Sequence, residues 1–93
     1  MELSYDPEKR ARILAERGLD FDDAVHVFGG PTIDLLDDRK DYGEVRWVTY
    51  GLLEGRMIAL VWTSRGDARH IISMRKANER ERKTYQGQVD RPG

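Results

Sequence analysis

Hydrophobic residues near the start of the chain recur with the spacing of two short helices. Asp6 and Pro7 supply an N-cap and a proline at the first helical position, and the apolar residues that follow share one helical face: Ala11, Leu14, Ala15 and Gly18. A second helix is expected to begin after Asp20, again with one apolar face: Phe21, Ala24, Val25 and Phe28. The glycines and proline at 29–31 end it. We expect both apolar faces to contact the core.

Strand signals dominate the rest of the chain. Residues 2–5 alternate polar and apolar side chains, and 32–36 carry a weaker strand signal. Three longer runs are rich in β-branched and aromatic residues and are separated by short turns that contain glycine: 45–53, 57–64 and 69–75. This arrangement is typical of an antiparallel meander. Asn78 and Glu81 have the spacing of a capping box, which predicts a last helix over about 79–86.

The predicted element order is β-α-α-β-β-β-α, and the fold class is α+β, with a curved antiparallel sheet packed against helices. A chain of 93 residues forms one domain, because half that length could not build a core of its own. We assign residues 1–86 to this domain and expect 87–93 to form a flexible tail. The strand runs carry large apolar residues on both sides, so both faces of the sheet should be at least partly covered. Alternation along the last run should place Arg69 and Arg75 on one face and His70 on the other.

The composition excludes several classes of protein. The sequence has no cysteine, so disulfides, thiolate catalysis and cysteine zinc sites are absent. No apolar run approaches the ~20 residues that a membrane-spanning helix needs. The first residues lack the basic-then-apolar order of a secretory signal. We therefore expect a cytoplasmic location and no membrane partner.

The net charge of −1 hides a division along the chain. Residues 1–43 contain 6 Lys/Arg and 11 Asp/Glu, a net of −5, whereas residues 44–93 contain 10 Lys/Arg and 6 Asp/Glu, a net of +4. The two halves could pair their charges with each other, or the second half could form an anion-binding face. Within it, the cations of the stretch 69–83 could follow a phosphate backbone, although its helical part is more typical of a solvated surface with ion pairs.

The two histidines suggest different roles. His70 lies in a strand among arginines, which would lower its pKa and suit a general base near neutral pH. The alternative is a half-buried strand histidine without a catalytic role. His26 is expected on the surface, opposite the apolar face of its helix. Histidines and carboxylates lack the spacing of metal ligands, so we expect no metal site and no cofactor.

Two blocks of sequence resemble the BrnT family. They are YDPEK at 5–9 with RGLDFDDA at 17–24 and Val27-Phe28, and IISMRKAN at 71–78 followed by Glu81 and Tyr85. The resemblance implies a type II toxin with a RelE-like ribonuclease fold, neutralised by a ribbon-helix-helix antitoxin called BrnA and reaching DNA only through that antitoxin. It also implies metal-free RNA cleavage through attack of the 2′-hydroxyl on the neighbouring phosphate. A short ribbon-helix-helix protein encoded immediately downstream would support it.

This interpretation assigns residues to two groups. The expected catalytic residues are His70 as the base, with Arg75, Arg46 and Tyr85 around the phosphate. The expected RNA-binding residues are Arg65, Arg69, Lys76, Arg80 and Glu81, with Glu81 orienting Arg75. Glu16-Arg17 and His70 depart from residues that are common in the family, which leaves an alternative. The chain could be a non-catalytic, degenerate toxin that only binds its antitoxin or a DNA complex.

Overall fold

Residues 1–89 are described by a computed structural model. The elements in chain order are β1 (Glu2–Tyr5), α1 (Pro7–Arg17), a 3-10 turn (Phe21–Asp23), α2 (Ala24–Phe28), β2 (Ile33–Leu36), β3 (Trp47–Leu53), β4 (Arg56–Arg65), β5 (Ala68–Lys76) and α3 (Glu79–Val89). Within this range, no helix has the length and apolar character needed to cross a membrane.

The strands form one five-stranded sheet in the order β1-β5-β4-β3-β2. The α+β class is confirmed, but the predicted order lacked one strand, β2. The prediction of an antiparallel sheet is also wrong at one edge, because β1 lies parallel to β5 while the other pairs are antiparallel. Helices α1 and α2 carry the chain from β1 at one edge to β2 at the other, and a long crossover of this kind permits parallel pairing.

The core is divided between the two faces of the sheet. Ile58, Leu60 and Trp62 of β4 join a buried cluster with α1 and α2, which cover what we call the α1–α2 face. Met57 and Ala59 alternate with them and join a second cluster that includes residues of α3, on what we call the α3 face. The expectation that both faces are covered is therefore confirmed.

The predicted apolar faces of the first two helices are partly wrong. Ile13 and Val27 are buried, whereas Leu14 is 43% and Val25 is 41% exposed. In α1 the buried residue is Ile13, and Arg10 one turn earlier pairs with Asp20 beyond the end of the helix. Before α2, the 3-10 turn has about three residues per turn instead of 3.6. The buried positions therefore recur every three residues, at Phe21, Ala24 and Val27, and Val25 is left exposed.

A β-bulge separates basic residues that were predicted to share a face. On β4, Val61 pairs with Ser73 but the next residue, Trp62, pairs with Ile71, so Ile72 is the extra residue of β5. An extra residue reverses the alternation beyond it. Arg69 consequently lies on the α1–α2 face and Arg75 on the α3 face, and the prediction that they share a face is wrong.

Helix α3 begins where the capping-box spacing predicted and ends later than expected. It continues through Gly87 to Val89, which is fully buried in the cluster on the α3 face. Burial of this valine explains the extra residues, because a short helix depends on tertiary packing for its stability. The rest of the predicted tail, 90–93, lies outside the described residues. The assignment of 1–86 to one domain stays a prediction.

The packing of α2 on β3 predicts the effect of a small substitution at Gly51. A Cβ atom added there would lie 2.7 Å from Cγ1 of Val27 and 3.0 Å from Cγ2 of Thr32. We expect Gly51→Ala to lower the free energy of unfolding by about 1–3 kcal/mol through overpacking. Urea denaturation measures this value. The matched control is Gly87→Ala, where a Cβ meets nothing within 4 Å and should be neutral or slightly stabilising. Equal effects of the two substitutions would contradict the packing described.

Candidate functional site

A groove with a volume of about 470 Å³ opens on the α3 face of the sheet. Three arginines line it: Arg39 from the loop after β2, Arg46 just before β3, and Arg75 from β5. Tyr50 of β3 and Glu81 of α3 complete the end near Arg75. The groove therefore gathers cations from three parts of the chain that are distant in sequence.

Glu81 connects the three elements at this end of the groove. Its carboxylate accepts two hydrogen bonds from Arg75, with Nη1–Oε1 at 2.7 Å and Nη2–Oε2 at 2.9 Å. Tyr50 donates its hydroxyl to Oε2. The backbone N–H of Asn78 donates to Oε1 at 2.9 Å, and the N–H of Glu81 donates to Oδ1 of Asn78 at 2.8 Å. The predicted capping box and the predicted contact of Glu81 with Arg75 are both present.

The cluster has a defined protonation state at neutral pH. The hydrogen bonds from Arg75 lower the pKa of Glu81 to about 2, although burial opposes the shift. Burial, reinforced by the hydrogen bond to Glu81, raises the pKa of Tyr50 to about 12. The carboxylate also raises the pKa of Arg75. Tyr50 is therefore a hydrogen-bond donor at this end, and Arg75 carries its full charge.

Tyr85 lies beside this cluster. Its ring stacks on that of Tyr50, with centroids 4.6 Å apart and planes inclined by 24°. Both rings belong to the apolar cluster beneath α3, and Tyr85 is only half-buried. The stack fixes the Tyr85 ring against Tyr50, which lines the groove, while Tyr85 itself lies outside the groove lining.

The other two arginines of the groove are also paired with carboxylates. Arg46 donates from Nε to Oε2 of Glu44 at 3.1 Å and lies 3.9 Å above the ring of Tyr42. Arg39 donates from Nε and Nη2 to the buried carboxylate of Asp37, at 2.7 and 3.0 Å. These pairs fix the positions of the guanidinium groups, and they also neutralise part of the charge that an anion would meet.

His70 lies on the α3 face but outside the groove lining. Its Nδ1 is 2.8 Å from Oγ of Ser4, and burial together with the nearby charge of Arg65 lowers its pKa. The imidazole is therefore neutral at pH 7. The β4 partners of His70 and Arg75, Thr63 and Ala59, are four positions apart, so His70 and Arg75 lie about 13 Å apart along the sheet at about 3.3 Å per residue.

The remaining predicted residues are dispersed. Arg65 lies 4.0 Å from Glu44, near the Arg46 end of the groove. Arg69 stacks on Phe28 and Trp62, with its guanidinium carbon 4.4 and 4.7 Å from the ring centroids. Lys76 and Arg80 are exposed and line other cavities. The structure thus brings Arg46, Arg75 and Glu81 together along the groove, with Tyr85 stacked on Tyr50 beside it, and it places Arg69 on the opposite face of the sheet.

Tyr50 and Arg39 were missed from the sequence. For Tyr50 a signal existed, since strand alternation places it on the same side of β3 as Arg46. Arg39 lies in a charged loop with no periodicity, so no comparable pattern indicated its position. Among residues 1–89, no group of three His, Cys, Asp or Glu side chains is arranged to hold a metal ion.

The low pKa of Glu81 predicts how its substitution depends on pH. Glu81→Gln removes the charge that Arg75 pairs with, and we expect it to lower the free energy of unfolding at pH 7 by about 1–3 kcal/mol. Because the folded pKa is about 2 against an ordinary 4.5, the advantage of the wild type is present above pH 4.5 and is lost as the pH falls towards 2. Urea unfolding across this pH range measures the difference.

Glu79→Gln is the control for this experiment. Glu79 begins the same helix, and its pair with Lys83 is an exposed i,i+4 contact worth less than about 0.5 kcal/mol. We expect its substitution to have a small effect at every pH. If the difference in free energy of unfolding between wild type and Glu81→Gln stayed constant down to the lowest pH, it would contradict the assignment of an ionised Glu81 at neutral pH.

A family model described as "Ribonuclease toxin, BrnT, of type II toxin-antitoxin system" matches residues 5–81. This range contains Arg46, Arg75 and Glu81 and ends before Tyr85. No curated protein matches the chain.

Proposed function

The chain belongs to the BrnT family of ribonuclease toxins of type II toxin–antitoxin systems, and from this membership we propose that it cleaves RNA without a metal ion and thereby inhibits translation. The observation that carries the proposal is the groove on the α3 face, which has arginines at both ends and an aromatic pair at one. Arginine and aromatic side chains are the groups that bind phosphates and bases of single-stranded RNA.

The proposed reaction is an internal transfer at one phosphate. The 2′-oxygen forms a bond to the adjacent phosphorus, and the bond from phosphorus to the 5′-oxygen of the next nucleotide breaks. The products are a 2′,3′-cyclic phosphate and a 5′-hydroxyl. A base accepts the proton of the 2′-hydroxyl, and the leaving 5′-oxygen takes up a proton. Negative charge gathers on the phosphate oxygens in the transition state, and guanidinium groups already held in place stabilise it.

We assign the base to His70 and the nearest stabilising cation to Arg46. Thr63 on β4 pairs with His70 on β5. Trp62 pairs with Trp47 on β3, so the residue before Trp47, Arg46, lies opposite Thr63 on its other side. This register places Arg46 and His70 two strands apart, or about 10 Å between their Cα atoms. That separation leaves room for a phosphate between the two side chains. We assign the proton of the neutral imidazole to Nδ1, which then donates to Oγ of Ser4, so that Nε2 is the nitrogen that accepts the proton.

Arg75 and Tyr85 then bind a neighbouring nucleotide at the other end of the groove. Glu81 holds the Arg75 guanidinium by two hydrogen bonds and acts as a positioning residue. Tyr85 offers a ring for stacking or a hydroxyl for a phosphate oxygen. Arg65 is close enough to the Arg46 end to contact a flanking phosphate.

Membership of the family implies an antitoxin partner as well as an RNA substrate. We propose that the antitoxin is a ribbon-helix-helix protein similar to BrnA and that the chain approaches DNA only through it. The proposed block of translation requires the protein to act in the cytoplasm.

A second candidate function is a binding module without catalysis. The observation in its favour is that each arginine lining the groove already has a carboxylate partner, while His70 lies far from Arg75. A degenerate toxin of this kind would retain RNA or its antitoxin without turnover.

RNA cleavage in the presence of EDTA tests the proposal. We expect wild type to cut single-stranded RNA and to leave 2′,3′-cyclic phosphate ends. His70→Ala should lower kcat/KM by about 10²–10⁴, as expected for loss of a general base. Arg46→Ala should lower it by about 10²–10³, as for loss of an electrostatic stabiliser. Since the pKa of His70 lies below its usual 6.5, wild-type activity should fall only at a pH below that value.

His26→Ala provides the matched control, since His26 is an exposed histidine of α2 outside the groove. Its activity should equal that of wild type. RNA that stays intact with the wild type but remains bound would favour the binding module. Normal cleavage by both His70→Ala and Arg46→Ala would show that the residues are wrongly assigned.

A further inference from the structure

A second cationic surface surrounds the turn between β3 and β4. A cavity of about 530 Å³ is lined by Arg17, Arg56 and Lys76, and one of about 330 Å³ by Arg56, Lys76 and Arg82. The two share Arg56 and Lys76, so they form one continuous surface. We call the surface formed by these four cations the hairpin-end surface.

The cations of this surface differ from those of the groove in their partners. Within residues 1–89, none of the four forms an ion pair with a carboxylate. Arg17 donates one Nη1 hydrogen bond to the carbonyl of Met74, and Arg82 one to the carbonyl of Ala77, both at 2.9 Å. These bonds hold the two guanidinium groups in place without neutralising their charge. Asp23 and Glu54 also line the larger cavity, so the surface has four cations against two carboxylates.

The hairpin-end surface adjoins the groove through neighbouring residues. Lys76 follows Arg75 on β5, and Arg82 follows Glu81 on α3. Lys76 projects from the face opposite Arg75, because it pairs with Ile58, so an RNA chain that leaves the groove beside Arg75 reaches Lys76 by passing around the end of the sheet. Arg56 lies at the start of β4, and Lys76 pairs with Ile58 of the same strand.

The chemistry of the surface favours a nucleic-acid backbone over a protein partner. Protein interfaces are organised around exposed apolar or aromatic residues at their centre. None of the strongly exposed large hydrophobic residues of the described chain lines these cavities: Met1, Leu14, Val25, Leu35, Leu36 and Val45. Cations without carboxylate partners, set where the apolar lining residues are largely buried, are typical of sites that follow phosphates.

We propose that the hairpin-end surface binds the phosphates of RNA that extends beyond the groove, so that it adds affinity for long substrates without taking part in cleavage. This inference rests on RNA being the ligand of the groove. It predicts that the affinity contributed by this surface depends on the length of the RNA and on salt concentration.

Fluorescence anisotropy with uncleavable 2′-O-methyl RNA of 3 and 12 nucleotides, at several NaCl concentrations, tests the proposal. Arg56→Gln/Lys76→Gln should weaken binding of the 12-mer by about 20-fold at 0.1 M salt, and should reduce the slope of log K against log salt by about 1.4. Its affinity for the 3-mer should be unchanged. The matched control is Arg12→Gln/Lys83→Gln, which removes the same charge from exposed positions outside the surface and should leave both affinities near those of wild type. Thermal unfolding checks that both variants are folded.

The outcomes separate this inference from the proposed function. Equal losses of 12-mer affinity in the two double variants would overturn the hairpin-end surface as a site. The proposal would also be overturned if Arg56→Gln/Lys76→Gln bound RNA as well as wild type but no longer bound a polyglutamate peptide. That result would indicate an acidic protein partner. If the 3-mer does not bind wild type while the 12-mer still depends on Arg56 and Lys76, the surface is supported and the groove assignment fails.

Discussion

One carboxylate fixes the geometry on which the groove depends. Glu81 accepts hydrogen bonds from Arg75 on β5, from Tyr50 on β3 and from the backbone at the start of α3. Few apolar residues of the described part of α3 pack on the sheet, namely Tyr85 and Val89, with Ala77 just before the helix. The position of the helix therefore depends strongly on this ionic contact, and the end of the groove that α3 forms depends on the helix. Removing one partner of such a pair leaves the other charge unpaired, which makes the contact costly to break.

The cations of the chain have two different environments. Those of the groove are paired with carboxylates, so they are held in position but act on an incoming phosphate with reduced charge. Among residues 1–89, those of the hairpin-end surface have no such partners and attract polyanions more strongly. Positioned cations suit stabilisation of a transition state, while unpaired cations suit attraction of a long substrate. Both environments contain a cation from the acidic first half of the sequence, Arg39 in the groove and Arg17 on the hairpin-end surface. The net charge of each half therefore describes neither environment.

Features that depend on local spacing were predictable from the sequence, and features that depend on pairing were not. The capping box of Asn78 and Glu81 and the contact of Glu81 with Arg75 follow from residues close in sequence. The bulge at Ile72 is a property of two paired strands, so alternation alone placed Arg69 on the wrong face. The role of Tyr50 depends on the docking of α3. The parallel pairing of β1 depends on the crossover of two helices, which a meander of strands does not reveal.

The central claim is that RNA binds on the α3 face, in the groove between Arg46 and Arg75, and not on the face that holds Arg69. NMR spectra of the arginine Nε–Hε groups, recorded during titration with 2′-O-methyl RNA, test it most directly. The account predicts that the signals of Arg46 and Arg75 shift as RNA is added, while that of Arg69, stacked between Phe28 and Trp62, stays unchanged. A shift of the Arg69 signal with unchanged Arg46 and Arg75 signals would contradict it.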